Sequence, residues 1–138
     1  MRILLLEDND EIRQMLGTFL ARLGYQVVSC DRGITALREA LTAEERGERF
    51  DVYLLDGALP LFDGFTVAQI IRLIESVRPD ARAGRLAMIT GKTRTVENAH
   101  LLELINYDAY WTKPLELPVI RETLKMWEEV NYPEGSQK

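Results

Sequence analysis

Short apolar runs alternate along the chain with longer amphipathic stretches. The apolar runs are typical of strands that are buried on both faces, as in a parallel sheet. The longer stretches carry apolar residues three and four positions apart, which predicts one buried face on each of a series of helices. The predicted strands cover residues 2–6, 26–29, 51–55, 85–89 and 109–111, and the predicted helices cover about 12–23, 34–41, 65–77, 99–105 and 117–130.

The first two predicted helices carry specific expectations about their ends and faces. Asn9 or Asp10 is expected to cap the start of the first helix, and Gly24 stands where that helix ends. The charged segment 42–49 after the second helix is expected to be a solvated helix end and loop. The apolar positions that mark the two helices are Ile12, Met15, Leu16, Phe19, Leu20 and Leu23 in the first, and Ile34, Leu37 and Leu41 in the second.

A strand followed by a helix occurs five times in succession. This order predicts an α/β fold, a doubly wound parallel sheet with helices on both faces and right-handed crossovers. The length of 138 residues suits a single hydrophobic core. We therefore expect one domain over residues 1–130, with residues 131–138 as a C-terminal tail or the start of a linker.

Composition narrows the environment in which the chain works. The longest apolar runs are far shorter than the roughly 18 residues that a membrane span requires, and no secretory signal pattern is present. The single cysteine, Cys30, has no partner for an internal disulfide, which favours a reducing compartment and predicts a cytoplasmic location. The net charge of −5 argues against direct nucleic-acid binding, which normally requires a basic face.

Chemically active side chains stand at the ends of the predicted strands. Glu7 and Asp8 follow the first strand, Asp56 the third and Thr90 the fourth, and Lys113 comes shortly after the fifth. Because the carboxyl ends of parallel strands meet at one edge of the sheet, we expect these groups to converge there. Two unit charges about 4 Å apart repel by roughly 4 kcal/mol at an effective dielectric constant of about 20, so three carboxylates require a raised pKa or a cation.

The charge balance of this edge predicts a metal site. Lys113 supplies one positive charge, and the remaining negative charge calls for a bound cation. Carboxylate oxygens without a histidine or cysteine cluster favour Mg²⁺ over zinc. Mg²⁺ commonly binds one or two carboxylates together with a phosphate oxygen. The site is therefore expected to receive a phosphoryl group, with one aspartate available as the nucleophile.

These residues, in this order and on these elements, form a recognisable pattern. Over residues 2–130 the sequence resembles the CheY-like receiver domains of two-component response regulators. The resemblance implies a flavodoxin-like sheet with strand order 2-1-3-4-5 and five helices. It also implies structural roles for Pro60, Gly64 and Pro114, the last in a cis peptide bond with Lys113. The positions that carry the resemblance are Glu7-Asp8, Asp56 with Pro60 and Gly64, Thr90, Tyr110 and Lys113-Pro114.

The resemblance further implies a role for each residue of the acidic site. Asp56 would accept a phosphoryl group from a sensor histidine kinase or a phosphotransfer protein. Asp8 and Asp56 would bind Mg²⁺, or Mn²⁺ in its place. Glu7 would act through a coordinated water, and the backbone carbonyl of Ala58 would complete the metal site.

Other positions would transmit the reaction to the surface. Lys113 would neutralise the phosphoryl oxygens, Thr90 would hydrogen-bond them, and Tyr110 would move inward behind Thr90. The surface formed by the helix predicted at 99–105, the strand predicted at 109–111 and the helix predicted at 117–130 would then bind a downstream protein, an output domain or a second copy. Such a protein is a switch and not an enzyme, apart from self-phosphorylation from small donors and autodephosphorylation.

Several alternatives stay open at the level of sequence. One is a receiver fragment of a longer DNA-binding transcriptional regulator. Another is a Mg²⁺-dependent aspartyl phosphohydrolase, but Asp56-Gly57-Ala58 supplies no second acid for proton transfer. A flavin-binding domain would need a phosphate-cradling loop after the first strand, where residues 7–11 are mostly acidic. For single residues, helix capping by Glu7 and Asp8 and plain core packing of Tyr110 are the competing interpretations.

Overall fold

A computed structural model describes residues 1–57, 64–77, 82–91 and 103–131 of the chain. Within these ranges five strands form one parallel sheet in the order β2-β1-β3-β4-β5, so the predicted doubly wound architecture is confirmed. The strands are β1 (Arg2–Leu6), β2 (Gln26–Cys30), β3 (Val52–Asp56), β4 (Arg85–Thr90) and β5 (Ala109–Thr112). The helices are α1 (Asp10–Arg22), α2 (Gly33–Arg46), α3 (Gly64–Ser76) and α4 (Leu117–Asn131).

Part of the predicted organisation falls outside the described residues. Of the helix predicted at 99–105, the structure describes residues 103–105, which are helical. The proposed tail over 131–138 is described only at Asn131, the last residue of α4. No helix in the described ranges is long and apolar enough to cross a membrane.

The central strands are buried on both faces, as the apolar runs predict. Alternate residues of β1 point to opposite sides, so Ile3 and Leu5 pack with α1 and α4 whereas Leu4 and Leu6 pack with α2 and α3. All four side chains have no exposed surface. The two apolar layers fix the sheet from both sides, and the ends of the strands are therefore held at defined positions.

The start of α1 is fixed directly after the first acidic pair. Asn9 is the N-cap, because its side-chain Oδ1 accepts a hydrogen bond from the backbone N–H of Ile12 at 2.9 Å. This resolves the two predicted caps in favour of Asn9. Met15, which was expected on the buried face, is 40% exposed, whereas Leu16 and Leu20 are fully buried.

The helix predicted at 34–41 is confirmed, but two of its three apolar marker residues do not lie on its buried face. Ile34 and Leu41 are 58% and 46% exposed, and only Leu37 of the three marker residues is buried. The helix packs mainly through small residues, which allow it to approach the sheet closely. It continues to Arg46, so more of the segment 42–49, expected to be a helix end and loop, is helical. The buried residues of α2 are Gly33, Ala36, Leu37, Ala40 and Ala43.

An aromatic contact joins the edge strand to the last helix. Trp111 of β5 stacks on Trp127 of α4, with ring centroids 6.3 Å apart and planes inclined by 23°. These two residues are the only tryptophans in the sequence. The contact therefore makes the intrinsic tryptophan fluorescence specific for the packing of β5 on α4.

Candidate functional site

The acidic site lies between β1 and β3, which are neighbours in the sheet. Their register pairs Leu6 with Leu55, so the next residues, Glu7 and Asp56, stand side by side at the carboxyl edge. One carboxylate oxygen from each of Glu7, Asp8 and Asp56 lies within 4.8 Å of the other two. The structure thus brings the three predicted carboxylates together. The strand order reverses direction between β1 and β3, where doubly wound sheets place their binding sites.

The three carboxylates differ in their access to water. Glu7 is fully buried and Asp56 is 1% exposed, whereas Asp8 is exposed. Glu7 Oε2 accepts a hydrogen bond from the backbone N–H of Asn9 at 3.2 Å. Glu7 and Asp56 therefore form the buried floor of the site, and Asp8 lies at its solvent side.

Lys113 brings its ammonium group between the two buried carboxylates. Its Nζ lies 2.7 Å from Glu7 Oε1 and 3.2 Å from Asp56 Oδ2. The lysine backbone N–H donates to the carbonyl of Thr90 at 2.8 Å, which ties the loop after β5 to the end of β4. The Lys113–Pro114 peptide bond is cis. Sheet pairing and this loop together place the lysine over the acidic pair.

One ammonium does not balance the negative charge that the site gathers. Burial, followed by the neighbouring Asp56 carboxyl, raises the pKa of Glu7 from its ordinary value of 4.5 to about 7, against the lowering effect of Lys113 and the Asn9 N–H. Burial alone would lower the pKa of Lys113, but its contacts with Glu7 and Asp56 outweigh burial and raise that pKa. The charged form of Lys113 is therefore favoured, whereas the charged form of Glu7 is disfavoured.

The donor atoms fit a small divalent cation. Glu7 Oε1 is buried and accepts no aligned hydrogen bond from the described residues, since Lys113 contacts it only as an ion-pair partner. A buried carboxylate oxygen in this condition calls for a further positive or hydrogen-donating group. Three carboxylates grouped within ligand distance offer hard oxygen donors, which are the donors that Mg²⁺ prefers. The residues present therefore fit the predicted metal.

Gly64 permits the close approach of α3 to the end of β3. A Cβ atom at Gly64 would collide with the backbone carbonyl oxygen of Asp56. Only glycine lets the first turn of α3 lie directly against the Asp56–Gly57 backbone. This supports the structural role assigned to Gly64, while Ala58 and Pro60 lie outside the described residues.

Thr90 and Tyr110 occupy the two strands on the β5 side of the site. Thr90 is the last residue of β4, is 2% exposed, and pairs with Thr112 in the sheet. Tyr110 is half-buried, and its ring meets that of Tyr107 edge-on, with centroids 6.2 Å apart. Thr90 is placed at the same edge as Asp56, because Asp56 pairs with Ile89, whereas Tyr110 lies two residues before the end of β5. Their movement on switching stays a prediction.

The sequence reasoning did not predict two contacts that support Glu7, one from Arg13 and one from the Asn9 N–H. Arg13 on α1 donates from Nη1 to the backbone carbonyl of Glu7 at 3.1 Å and pairs with Asp10 at 2.6 Å. The Asn9 N–H also contacts the Glu7 carboxylate. A capping pattern at Asn9 was visible in the sequence, but the contacts to Glu7 depend on how the chain turns between β1 and α1. No spacing rule reveals that turn.

The family of the chain follows from comparison with known proteins. The family model for the response regulator receiver domain matches residues 3–125. The chain belongs to this family. A relative of this receiver domain is the alkaline phosphatase synthesis transcriptional regulatory protein PhoP of Bacillus subtilis (strain 168), which is 33% identical over 82% of this chain and 42% of that protein. The chain spans only part of the length of curated relatives that it matches, 6% in one case and 52% in another.

Solved structures support the same assignment. The chemotaxis protein CheY4 of Vibrio cholerae matches with a TM-score of 0.75 and 26% identity, over 91% of this chain and 96% of that one. The receiver domain of the sensor histidine kinase PA1611 from Pseudomonas aeruginosa PAO1 matches with a TM-score of 0.73 and 28% identity, over 91% and 95% of the two chains. That structure has a magnesium ion coordinated in its active site cleft. The predictions of a CheY-like fold and of the receiver family are confirmed.

Proposed function

We propose that this receiver domain is a phosphorylation switch in which Asp56 is the phosphoacceptor. The observation that carries the proposal is the position of Lys113 Nζ, 2.7 Å from Glu7 and 3.2 Å from Asp56, within a cluster of three carboxylates. Such a cluster repels itself unless cations approach it, and a phosphoryl group that arrives with a metal ion brings oxygens for Lys113 to pair with. The phosphoryl donor would be a sensor histidine kinase or a phosphotransfer protein.

The transfer is a displacement at phosphorus. An Oδ atom of Asp56 would form the new O–P bond while the N–P bond to the donor histidine breaks, and the electron pair of that bond leaves with the imidazole. Lys113 would hold the phosphoryl oxygens as a point charge, because its ammonium already faces Asp56. Asp8 and Asp56 would hold Mg²⁺ directly, Glu7 through a coordinated water and Ala58 through its backbone carbonyl, and the ion would supply further positive charge for the phosphoryl oxygens.

The new aspartyl phosphate would act on the β5 side of the sheet. We propose that Thr90 hydrogen-bonds the phosphoryl group and that Tyr110 turns inward behind Thr90. These movements would alter the surface formed by β5, α4 and the helix predicted at 99–105. A cavity of about 220 Å³ lies on this surface, between β5 and α4. A downstream protein, an output domain or a second copy would bind there. We propose no enzymatic turnover beyond self-phosphorylation and autodephosphorylation.

The test is the intact mass of the protein after incubation with acetyl phosphate and Mg²⁺. We expect one phosphoryl group on the wild type, and none on Asp56→Asn or after the metal is chelated. Asp51→Asn is the matched control, because Asp51 stands at the opposite end of the same strand, where its carboxylate accepts the Arg2 N–H at 2.7 Å. This variant should be phosphorylated like the wild type.

Three outcomes would contradict the proposal. A phosphoryl adduct on Asp56→Asn would place the acceptor elsewhere. An unmodified wild type that also shows no thermal shift with beryllofluoride and Mg²⁺ would indicate a receiver fold that does not use phosphate. Release of many phosphate ions per protein from a phosphomonoester would favour the phosphohydrolase.

A further inference from the structure

A second group of charged side chains lies at the edge of the sheet opposite the acidic site. Arg72 of α3 stands at its centre, with a side chain that is 14% exposed. Glu75 on the same helix is 6% exposed, and Asp108, just before β5, is 25% exposed. Arg85 begins β4 at this same edge. Arg72, Glu75 and Asp108 are called the Arg72 cluster below.

The guanidinium of Arg72 uses all five of its N–H donors on this chain. Nε donates to the carbonyl of Ile105 at 2.8 Å, and Nη1 donates to the Glu75 carboxylate at 2.8 Å and to the carbonyl of Gly84 at 2.7 Å. Nη2 donates to the carbonyl of Asn106 at 3.0 Å and reaches Asp108 at 3.5 Å. A guanidinium has five such donors in a fixed plane, so none is left for a ligand. The adjacent cavity of about 450 Å³ is therefore not an anion site built on Arg72.

The acceptors of Arg72 belong to separate parts of the chain. Gly84 precedes β4, whereas Ile105 and Asn106 end the helical turn at 103–105. The carboxylates of the cluster extend the connections, because Glu75 accepts the Gly84 N–H at 2.6 Å and Asp108 accepts the Leu86 N–H at 2.9 Å. One side chain of α3 thus fixes the approach to β4 and the approach to β5 at once.

The cluster holds the amino end of β5, and the phosphorylation site acts at its carboxyl end. Thr112 pairs with Thr90, and Lys113 follows directly. Tyr110 and Trp111 lie between the two ends, only a few residues from each. A shift imposed on one end of a four-residue strand changes the packing of its middle on a neighbouring helix only if the other end resists displacement, because an unrestrained strand moves as a unit.

We propose that Arg72 is a positioning residue that anchors the amino end of β5, so that phosphorylation at Asp56 is converted into a displacement of the β5–α4 contact. The coupling part rests on the proposed function, whereas the anchoring part does not. Without the anchor, β5 would move as a whole together with the helix packed on it, so the position of Trp111 relative to Trp127 would change less.

The anchor is tested first in the unphosphorylated, metal-free protein by amide hydrogen exchange. The informative amides are those of Gly84, Leu86 and Asp108, which donate to Glu75, Asp108 and the carbonyl of Leu86. In Arg72→Gln we expect these amides to exchange at least about tenfold faster, because local opening is no longer opposed from α3. Arg85→Gln is the matched control, since it removes an equal charge that contacts only Asp108 among the described residues. Unchanged exchange in Arg72→Gln would overturn the proposal.

The coupling is tested by the change in tryptophan fluorescence on adding beryllofluoride and Mg²⁺. We expect Arg72→Gln to take up phosphate from acetyl phosphate within about twofold of the wild-type rate, but to show less than about half of the wild-type fluorescence change. Arg85→Gln should retain the full change. A full response in Arg72→Gln alongside faster exchange would refute the coupling. A wild type with no phosphoryl uptake would refute the proposed function, while the exchange result would still decide the anchor.

A second variant guards against loss of folding in Arg72→Gln. Arg72→Met with Glu75→Gln removes both buried charges together, and the glutamine oxygen can still accept the Gly84 N–H. We expect this double variant to fold and to show the same reduced fluorescence response. A wild-type response from the folded double variant would contradict the proposal.

Discussion

The two charged groups at opposite edges of this sheet are built on opposite principles. In the Arg72 cluster, each donor of the guanidinium meets an acceptor, and both carboxylates receive backbone N–H groups as well. In the acidic site, three carboxylates share one ammonium, and Glu7 Oε1 accepts no aligned hydrogen bond from the described residues. The compensated group supports the fold. The uncompensated group leaves negative charge at the site, which the cation and phosphoryl group of the proposed function would require.

The largest effect on the free energy of unfolding is expected when a charge is removed from the Arg72 cluster. Arg72→Gln should lower the free energy of unfolding by about 3–5 kcal/mol, because Glu75 is left charged and buried without its partner. Arg85→Gln should cost less than about 1 kcal/mol, because the Arg85–Asp108 pair is partly exposed. Urea unfolding of the two variants measures the difference. Equal losses would show that Arg72 is no more important than a surface arginine.

Removing charge from the acidic edge should have the opposite sign. Asp56→Asn should raise the free energy of unfolding without Mg²⁺ by on the order of 1–2 kcal/mol, because one of the mutually repelling carboxylates is gone. Mg²⁺ should stabilise the wild type more than this variant. Melting curves of both proteins with and without Mg²⁺ measure both effects, and four superimposed curves would refute the clustered-acid description.

The pH dependence of stability sharpens the contrast. The pKa of Glu7 is raised in the folded protein from 4.5 to about 7, so between these values the folded state binds a proton that the unfolded state has released. Stability without Mg²⁺ should therefore fall as the pH rises from 4.5 to 7, by at most about 1.4 kcal/mol per pH unit. Glu7→Gln should flatten this slope in urea titrations at several pH values. A slope that persists in Glu7→Gln would assign the effect to another group.

Much of the fold and of the acidic site could be predicted because each rests on a local signal. Apolar runs marked the strands, and the polar residues at their ends marked the edge where Glu7 and Asp56 meet. The Arg72 cluster had no such signal, because Arg72 and Asp108 are 36 positions apart and only the fold brings them together. The buried face of α2 was not predicted correctly, because small residues such as alanine form that face while Ile34 is exposed.

Gly64 has a consequence for how such a chain can diverge during evolution. Any side chain at position 64 would strike the backbone of Asp56 itself, so the obstacle is independent of the chemistry of the Asp56 carboxylate. A lineage that lost phosphorylation and replaced Asp56 would gain no freedom at Gly64. Glycine should therefore persist here in relatives that lack an aspartate at the position of Asp56, as a mark of the backbone geometry of this site.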